Sequence, residues 1–140
     1  MSIEEENKTK ARRIIEDALN EGNLAVIDEI LATNYVYHNP RGNIKGPQGL
    51  KQFFTMLRTA FPDVHVSIED MVAEGDVVAY RFTLRGTFKG EMMGMAPTGK
   101  QFEFPEAHFI RFEGGKEVEE WPYADSLSIY KQLGVSPPGQ

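Results

Sequence analysis

The chain of 140 residues contains no cysteine. This absence excludes disulfide bonds, thiolate zinc sites, iron–sulfur clusters and a cysteine nucleophile. Long apolar runs are also missing, because no window approaches the ~20 residues of a membrane-spanning helix. Basic residues are in the minority: 15 Lys and Arg against 21 Asp and Glu give a net charge of −6, which argues against sequence-independent nucleic-acid binding. The N-terminus lacks the apolar segment of a signal peptide, so we expect a cytoplasmic protein with no nucleic-acid or membrane partner.

The residues that are present are typical of one folded domain. Hydrophobic residues make up 41% of the chain and charged residues 26%, which is ordinary for a soluble protein. A chain of this length can bury a core without covalent or metal cross-links. We therefore predict a single domain over residues 1–135 and a frayed tail over 136–140.

The period of the apolar residues changes along the chain. Helical spacing predicts helices over 4–19, 24–31 and 47–61, and alternation predicts strands over 64–71, 77–85, 102–112 and 117–123. A short helix is predicted over 126–133. Helices followed by a run of antiparallel strands indicate an α+β fold.

The predicted strand 102–112 carries two ionisable residues, Glu106 and His108, in the middle of an otherwise apolar face. Because burying a bare charge is costly, these side chains either satisfy each other in the core or line a cavity. Side chains of the next predicted strand, 117–123, also alternate between two faces. One face is predicted to hold Glu117, Glu119, Trp121, Tyr123 and, just after the strand, Asp125; the other holds Val118 and Glu120.

Three further features leave alternatives open. Asp125 stands where this strand gives way to a helix, so it is either a helix cap or a cavity residue. His38 and Asn39 precede Pro40 and lie either in a solvated loop or near the mouth of a cavity. The methionines of segment 92–95 either fill gaps in the core or belong to a lid hinged at glycines. We predict no metal site, because neither an H-E-x-x-H motif nor a close pair of histidines is present.

Several segments, taken in order, resemble the SnoaL-like polyketide cyclase and ester cyclase family of the nuclear-transport-factor-2-like (NTF2-like) superfamily. The resemblance covers most of the chain and is strongest over 111–134, where Asp125 follows Trp121 by four residues. The other matching segments are Leu31-x-x-x-Tyr35-x-x-His38-x-Pro40, Gly46-Pro47-x-Gly49-Leu50, Phe61-Pro62-Asp63 and the glycine-containing stretch 86–100.

This resemblance implies an NTF2-like conical barrel, in which N-terminal helices pack on a curved antiparallel sheet around a hydrophobic pocket. It also implies a homodimer packed through the sheet, and ring closure by intramolecular aldol condensation without a cofactor. The residues that match in position are Asp125 as general acid/base, His108 as a second catalytic residue, and His38 and Asn39 as a polar pair of the cavity.

We therefore expect a cyclase that acts on a small apolar carbonyl compound by acid/base chemistry. A desolvated carboxylate has a raised pKa, which suits proton abstraction next to a carbonyl, so Asp125→Asn should abolish turnover. The residues expected to bind substrate are Tyr37, His38, Asn39, Phe104, Glu106, Trp121 and Tyr123. The alternatives are a binding protein without catalysis, an isomerase or epoxide hydrolase on the same fold, and a small interaction domain.

Overall fold

In the computed structural model, which describes residues 1–137, N-terminal helices pack on a single six-stranded sheet. The helices are α1 (Ile3–Arg13), α2 (Ala25–Ile30), α3 (Gly46–Ala60) and α4 (Ser126–Leu133), and a π-helical segment, Ile14–Asn20, continues α1. The strands are β1 (Leu31–Tyr37), β2 (Ile44–Lys45), β3 (His65–Glu74), β4 (Val77–Thr87), β5 (Gln101–Glu113) and β6 (Lys116–Ala124). The last part of the predicted tail, 138–140, lies outside the described residues.

Local sequence signals fix the ends of the helices. Ser2 accepts a hydrogen bond from the Glu5 backbone N–H at 3.1 Å and caps α1. Pro47 occupies the first turn of α3, where its missing N–H costs no hydrogen bond. Gly134 has a φ of 77° at the end of α4, a left-handed conformation that glycine adopts without strain.

The sheet has the strand order β2-β1-β6-β5-β4-β3 and is curved without closing on itself. Strands β3 to β6 form the predicted antiparallel meander. The predicted α+β fold, with helices packed on a curved sheet, is confirmed. One pairing departs from the antiparallel prediction, because β1 runs parallel to β6.

A bulge in β6 changes which of its residues face the interior. Phe112 pairs with Glu117, whereas Arg111 pairs with Glu119, so Val118 is the additional residue. Glu117 and Glu120 are consequently both buried on the inner side. The prediction that Glu117 shares a face with Trp121 was wrong, because strict alternation does not allow for an inserted residue.

The segment between β4 and β5 packs against the end of α3. The backbone N–H groups of Lys89 and Gly90 both donate to the Ala60 carbonyl oxygen at 3.0 Å, and Met92 is buried in the core. This packing favours the gap-filling interpretation for Met92, whereas Met93 is 60% exposed. Within residues 1–137, no helix is both long and apolar enough to cross a membrane.

Candidate functional site

An apolar cavity of about 120 Å³ lies between the helices and the inner face of the sheet. The π-helical segment contributes Ile14, Ile15 and Leu19 to its wall, and α3 contributes Leu50 and Leu57. A π-helix is wider than an α-helix and is found often at functional sites. The polar side chains in the lining belong to Tyr37, Tyr80, Glu106, His108 and Glu120.

His108 lies between two carboxylates at the wall of this cavity. Its Nδ1 is 2.6 Å from Oε2 of Glu120, and its Nε2 is 3.0 Å from Oε1 of Glu106. Residues two apart on a strand share a face, which places Glu106 beside His108, and the pairing of Glu120 with Ile110 places Glu120 on that same face of the sheet. The three side chains therefore form a hydrogen-bonded chain, which we call the Glu–His–Glu chain.

The Glu–His–Glu chain is charged at neutral pH. Burial lowers the pKa of the His108 imidazole, but hydrogen bonds and charge from Glu106 and Glu120 outweigh it and raise that pKa to about 9. Both ring nitrogens of His108 then carry protons and donate, one to each carboxylate. The imidazolium is thus held between two carboxyl side chains in an apolar wall.

Tyrosine hydroxyls surround the inner carboxylate. Glu120 accepts hydrogen bonds from the Tyr35 hydroxyl at 2.7 Å and the Tyr80 hydroxyl at 3.5 Å, in addition to the bond from His108. Burial together with the charge of Glu120 raises the pKa of both phenols well above the usual value, so both remain donors. The Glu120 side chain therefore accepts three hydrogen bonds in the core.

Glu117 is a second inner carboxyl group without such partners. It is 0% exposed, and neither of its oxygens has a hydrogen-bond partner within residues 1–137. Burial, followed by repulsion from Glu120, raises the pKa of Glu117 well above the usual range. This shift favours the neutral form of Glu117.

An open groove of about 420 Å³ adjoins the cavity at its outer end. Tyr37 and Glu106 line both spaces. The groove also contacts the aromatic side chains of β6, where the Trp121 ring stacks on the His38 ring at a centroid distance of 5.3 Å. The Tyr37 hydroxyl makes no hydrogen bond within the described residues, so it is an available donor beside Glu106.

The structure divides the predicted site residues among five places. His108 lies in the cavity wall, and Tyr37 and Glu106 lie at the junction of cavity and groove. The groove is lined by His38, Asn39, Trp121 and Tyr123. Phe104 packs in the core against Phe102, and neither lining includes it.

Asp125 lies apart from these groups. Its carboxylate accepts a hydrogen bond from the Ser128 backbone N–H at 3.1 Å and caps α4, and the side chain is exposed. The residues lining the cavity and the groove do not include it. The geometry therefore supports the helix-cap alternative for Asp125.

Sequence reasoning missed Glu120, Tyr35 and Tyr80 as parts of the site. Alternation puts Glu120 on the face opposite Trp121, which is correct, but one acidic residue among the three glutamates of β6 carries no distinguishing pattern. No group of three or more His, Cys, Asp or Glu side chains within residues 1–137 has a geometry suited to a metal ion.

Comparison with known proteins identifies the family. The SnoaL-like polyketide cyclase family matches residues 9–133. The chain is 31% identical over 131 residues to the aklanonic acid methyl ester cyclase DnrD of Streptomyces peucetius, covering 88% of this chain and 87% of that protein. It is 29% identical over 125 residues to the nogalonic acid methyl ester cyclase of Streptomyces nogalater, covering 84% and 90%.

Solved structures agree with this fold. A SnoaL-like protein from Jannaschia sp. CCS1 superimposes with a TM-score of 0.87 over 98% of this chain and 97% of that one, at 22% identity. IdmH from Streptomyces antibioticus superimposes with a TM-score of 0.77 over 92% and 99%, at 30% identity. The family match over most of the chain and the identity to curated relatives show that this protein belongs to the SnoaL-like polyketide cyclase family.

Proposed function

We propose that this protein closes a ring in a small apolar carbonyl compound by cofactor-independent acid/base chemistry at the Glu–His–Glu chain. The observation that carries the proposal is a buried, charged carboxylate–imidazolium pair at the wall of an apolar cavity, with the Tyr37 hydroxyl beside it. The curated relatives named as methyl ester cyclases support the reaction class.

Glu106 is the proposed base. One of its oxygens accepts the Nε2–H of His108, which leaves the other free to take a proton from a carbon next to a carbonyl. His108 is already protonated and cannot itself take a proton at neutral pH. A positioned general base contributes about 10²–10⁴-fold to the rate, and this is sufficient for a methylene that two carbonyls already acidify.

Tyr37 is the proposed donor to the developing enolate oxygen. A hydroxyl that is preorganised in an apolar wall stabilises developing negative charge better than water does. The proton passes from carbon to Glu106, the enolate carbon forms a bond to the second carbonyl carbon, and the new alkoxide receives the proton back from Glu106. The reaction is an isomerisation, so it consumes no oxidant, reductant or water.

The test uses methyl 3,7-dioxooctanoate, whose active methylene can attack the distal ketone to form a six-membered ring. Product is measured by chiral chromatography and mass spectrometry against the uncatalysed reaction. We expect turnover by the wild type, a loss of at least about 10²-fold in Glu106→Gln, and a smaller loss in Tyr37→Phe. Saturable binding with no turnover would contradict the proposal and favour a binding protein.

We further propose that a second copy of the chain covers the outer face of the sheet, which corresponds to the homodimer that the resemblance implies. Large apolar side chains on this face are exposed: Val72 is 64%, Phe109 44% and Tyr123 60% accessible. Exposed apolar clusters of this kind mark interaction surfaces. Light scattering after gel filtration should give the mass of two chains, and Phe109→Lys should give that of one; a monomeric wild type would contradict the proposal.

A further inference from the structure

Three elements of the fold meet at one wall of the cavity. Leu19 comes from the π-helical segment, Leu57 from α3 and Val66 from β3, and all three side chains line the cavity. An empty apolar cavity is costly, because the atoms that line it lack packing partners on one side. The apolar walls therefore tend to move together unless other contacts fix the distance between the three elements.

A side-chain amide joins the π-helical segment to β3. Nδ2 of Asn20 donates to the Val66 carbonyl oxygen at 2.9 Å, and Oδ1 of Asn20 accepts a hydrogen bond from the Val66 backbone N–H at 2.8 Å. A residue of a neighbouring antiparallel strand makes the same two bonds, and β3 lies at the edge of the sheet. Asn20 thus takes the place of a neighbouring strand at this point, which fixes its distance and direction from Val66.

A guanidinium group joins the same asparagine to α3. Nη1 of Arg58 donates to the carbonyl oxygens of Leu19 at 2.6 Å and of Asn20 at 3.0 Å. These carbonyls stand at the end of the π-helical segment, where a helix leaves acceptors without partners in the helix itself. Gly22 leaves room for this contact, because a Cβ at its position would lie 2.9 Å from Cζ of Arg58. Asn20 is therefore bonded to β3 through its side chain and to α3 through its backbone.

The bonds of Asn20 and Arg58 form a network directly behind the cavity wall. Asn20 follows Leu19 in the chain, Arg58 follows Leu57, and Val66 is itself a lining residue. Neither Asn20 nor Arg58 lines the cavity or the groove. A change in this network would therefore move the wall without removing a group that substrate touches.

We infer that Asn20 and Arg58 are positioning residues, which hold the π-helical segment, α3 and β3 apart and keep the cavity open before substrate binds. Without this network the apolar walls move together, and the substrate must separate them to enter. The cost falls equally on bound substrate and transition state, so the expected kinetic effect is a raised KM at unchanged kcat. This kinetic effect rests on the proposed function, whereas the open cavity can be measured without any reaction.

Xenon is the probe for the open cavity, because apolar protein cavities of ~150 Å³ bind it. Its affinity is measured by nuclear magnetic resonance at rising gas pressure, from the methyl signals of the lining residues Ile14 and Ile15. Asn20→Ala and Arg58→Met should each lower xenon affinity at least about tenfold. Each should also raise KM for methyl 3,7-dioxooctanoate by a similar factor and leave kcat within about twofold of wild type. The measurements are made at a temperature at which circular dichroism shows each protein to be folded.

Three variants serve as controls. Arg12 is exposed on α1 and donates to Glu16, so Arg12→Met should change neither xenon affinity nor KM. Arg58→Lys keeps a donor for one of the two carbonyl oxygens and should fall between wild type and Arg58→Met, which tests the inference even if Arg58→Met does not fold. Glu106→Gln should have the opposite signature, with a lower kcat and unchanged xenon affinity.

The outcomes separate this inference from the proposed function. Wild-type xenon affinity and wild-type KM in Asn20→Ala and Arg58→Met, with only a lower melting temperature, would overturn the inference, because the network would then support the fold alone. Absence of xenon binding to the wild type would overturn it as well, since the cavity would not be open. If xenon affinity falls in both variants but the wild type does not turn over methyl 3,7-dioxooctanoate, the proposed function fails and the positioning role stands.

Discussion

Glu117→Gln should stabilise the protein at neutral pH by an amount that grows with pH. Glu117 favours the neutral form in the folded protein, because it is buried without a hydrogen-bond partner among residues 1–137 and Glu120 repels a second charge. In the unfolded chain an ordinary glutamate ionises above a pKa of about 4.3. Folding must therefore bind one proton, and above this unfolded pKa each pH unit costs about 1.4 kcal/mol until the raised folded pKa is reached. Gln has the same shape and needs no proton.

The advantage of the variant should widen by about 1.4 kcal/mol for each pH unit that lies between the unfolded and the raised folded pKa of Glu117. For a domain of this size, each such step corresponds to roughly 5 °C in melting temperature. The assay compares melting temperatures of wild type and variant by circular dichroism at half-unit pH intervals. Because wild type and variant are compared at the same pH, the titration of the groups that both proteins share does not contribute to the difference in melting temperature.

Glu119→Gln is the matched control on the same strand. Hydrogen bonds from Arg111, and then from His38, lower the pKa of Glu119, so this carboxylate stabilises the fold above its unfolded pKa. The variant should be less stable than the wild type at pH 7, and the difference should shrink as pH falls. A melting-temperature gap for Glu117→Gln that stays constant between pH 5 and pH 7 would refute the neutral, buried Glu117.

Three further predictions follow from the site and its surroundings. The His108 imidazole should titrate near pH 9 by nuclear magnetic resonance, and Glu120→Gln should lower that pKa. The stability that the His108 imidazolium contributes is complete below its unfolded pKa of about 6.5, and it is lost as pH rises through the folded pKa of about 9. Gly90→Ala should destabilise the fold by at least about 2 kcal/mol in denaturant titrations, because the added Cβ would lie 2.2 Å from the Thr59 carbonyl oxygen. The enzyme should close the ring of the methyl ester of 3,7-dioxooctanoic acid at least about tenfold faster than that of the free acid. The reason is that no Lys or Arg of residues 1–137 lines the cavity or the groove, so a substrate carboxylate would find no cationic partner. Equal rates for the ester and the acid would contradict this argument.

Periodicity was sufficient for most of the fold. The apolar stripe of 47–61 and the alternation of 102–112 predict α3 and β5 within one residue at most ends, because each element buries one face against a common core. The parallel pairing of β1 with β6 could not be predicted, since it depends on how the chain returns across the sheet. The bulge at Val118 was also beyond reach, because an inserted residue shows no signature in a strand rich in glutamate.

Part of the site could be predicted, namely the polar residues that interrupt an apolar face. Glu106 and His108 stood out for this reason, and the structure places both in the cavity wall. Glu120 and the two tyrosines that donate to it could not be identified in this way, because they lie on three different strands that only the folded sheet brings together. Asp125 was selected by its position after Trp121, yet the same spacing also produces a helix cap.

The most direct test compares turnover by Glu106→Gln and Asp125→Asn. Both substitutions remove one carboxylate while preserving shape, and Asn caps a helix about as well as Asp, so the fold at α4 should survive. The account predicts that ring closure of methyl 3,7-dioxooctanoate falls at least about 10²-fold in Glu106→Gln and stays within about twofold of wild type in Asp125→Asn. Loss of turnover in Asp125→Asn with full activity in Glu106→Gln would contradict the assignment of the base to the Glu–His–Glu chain.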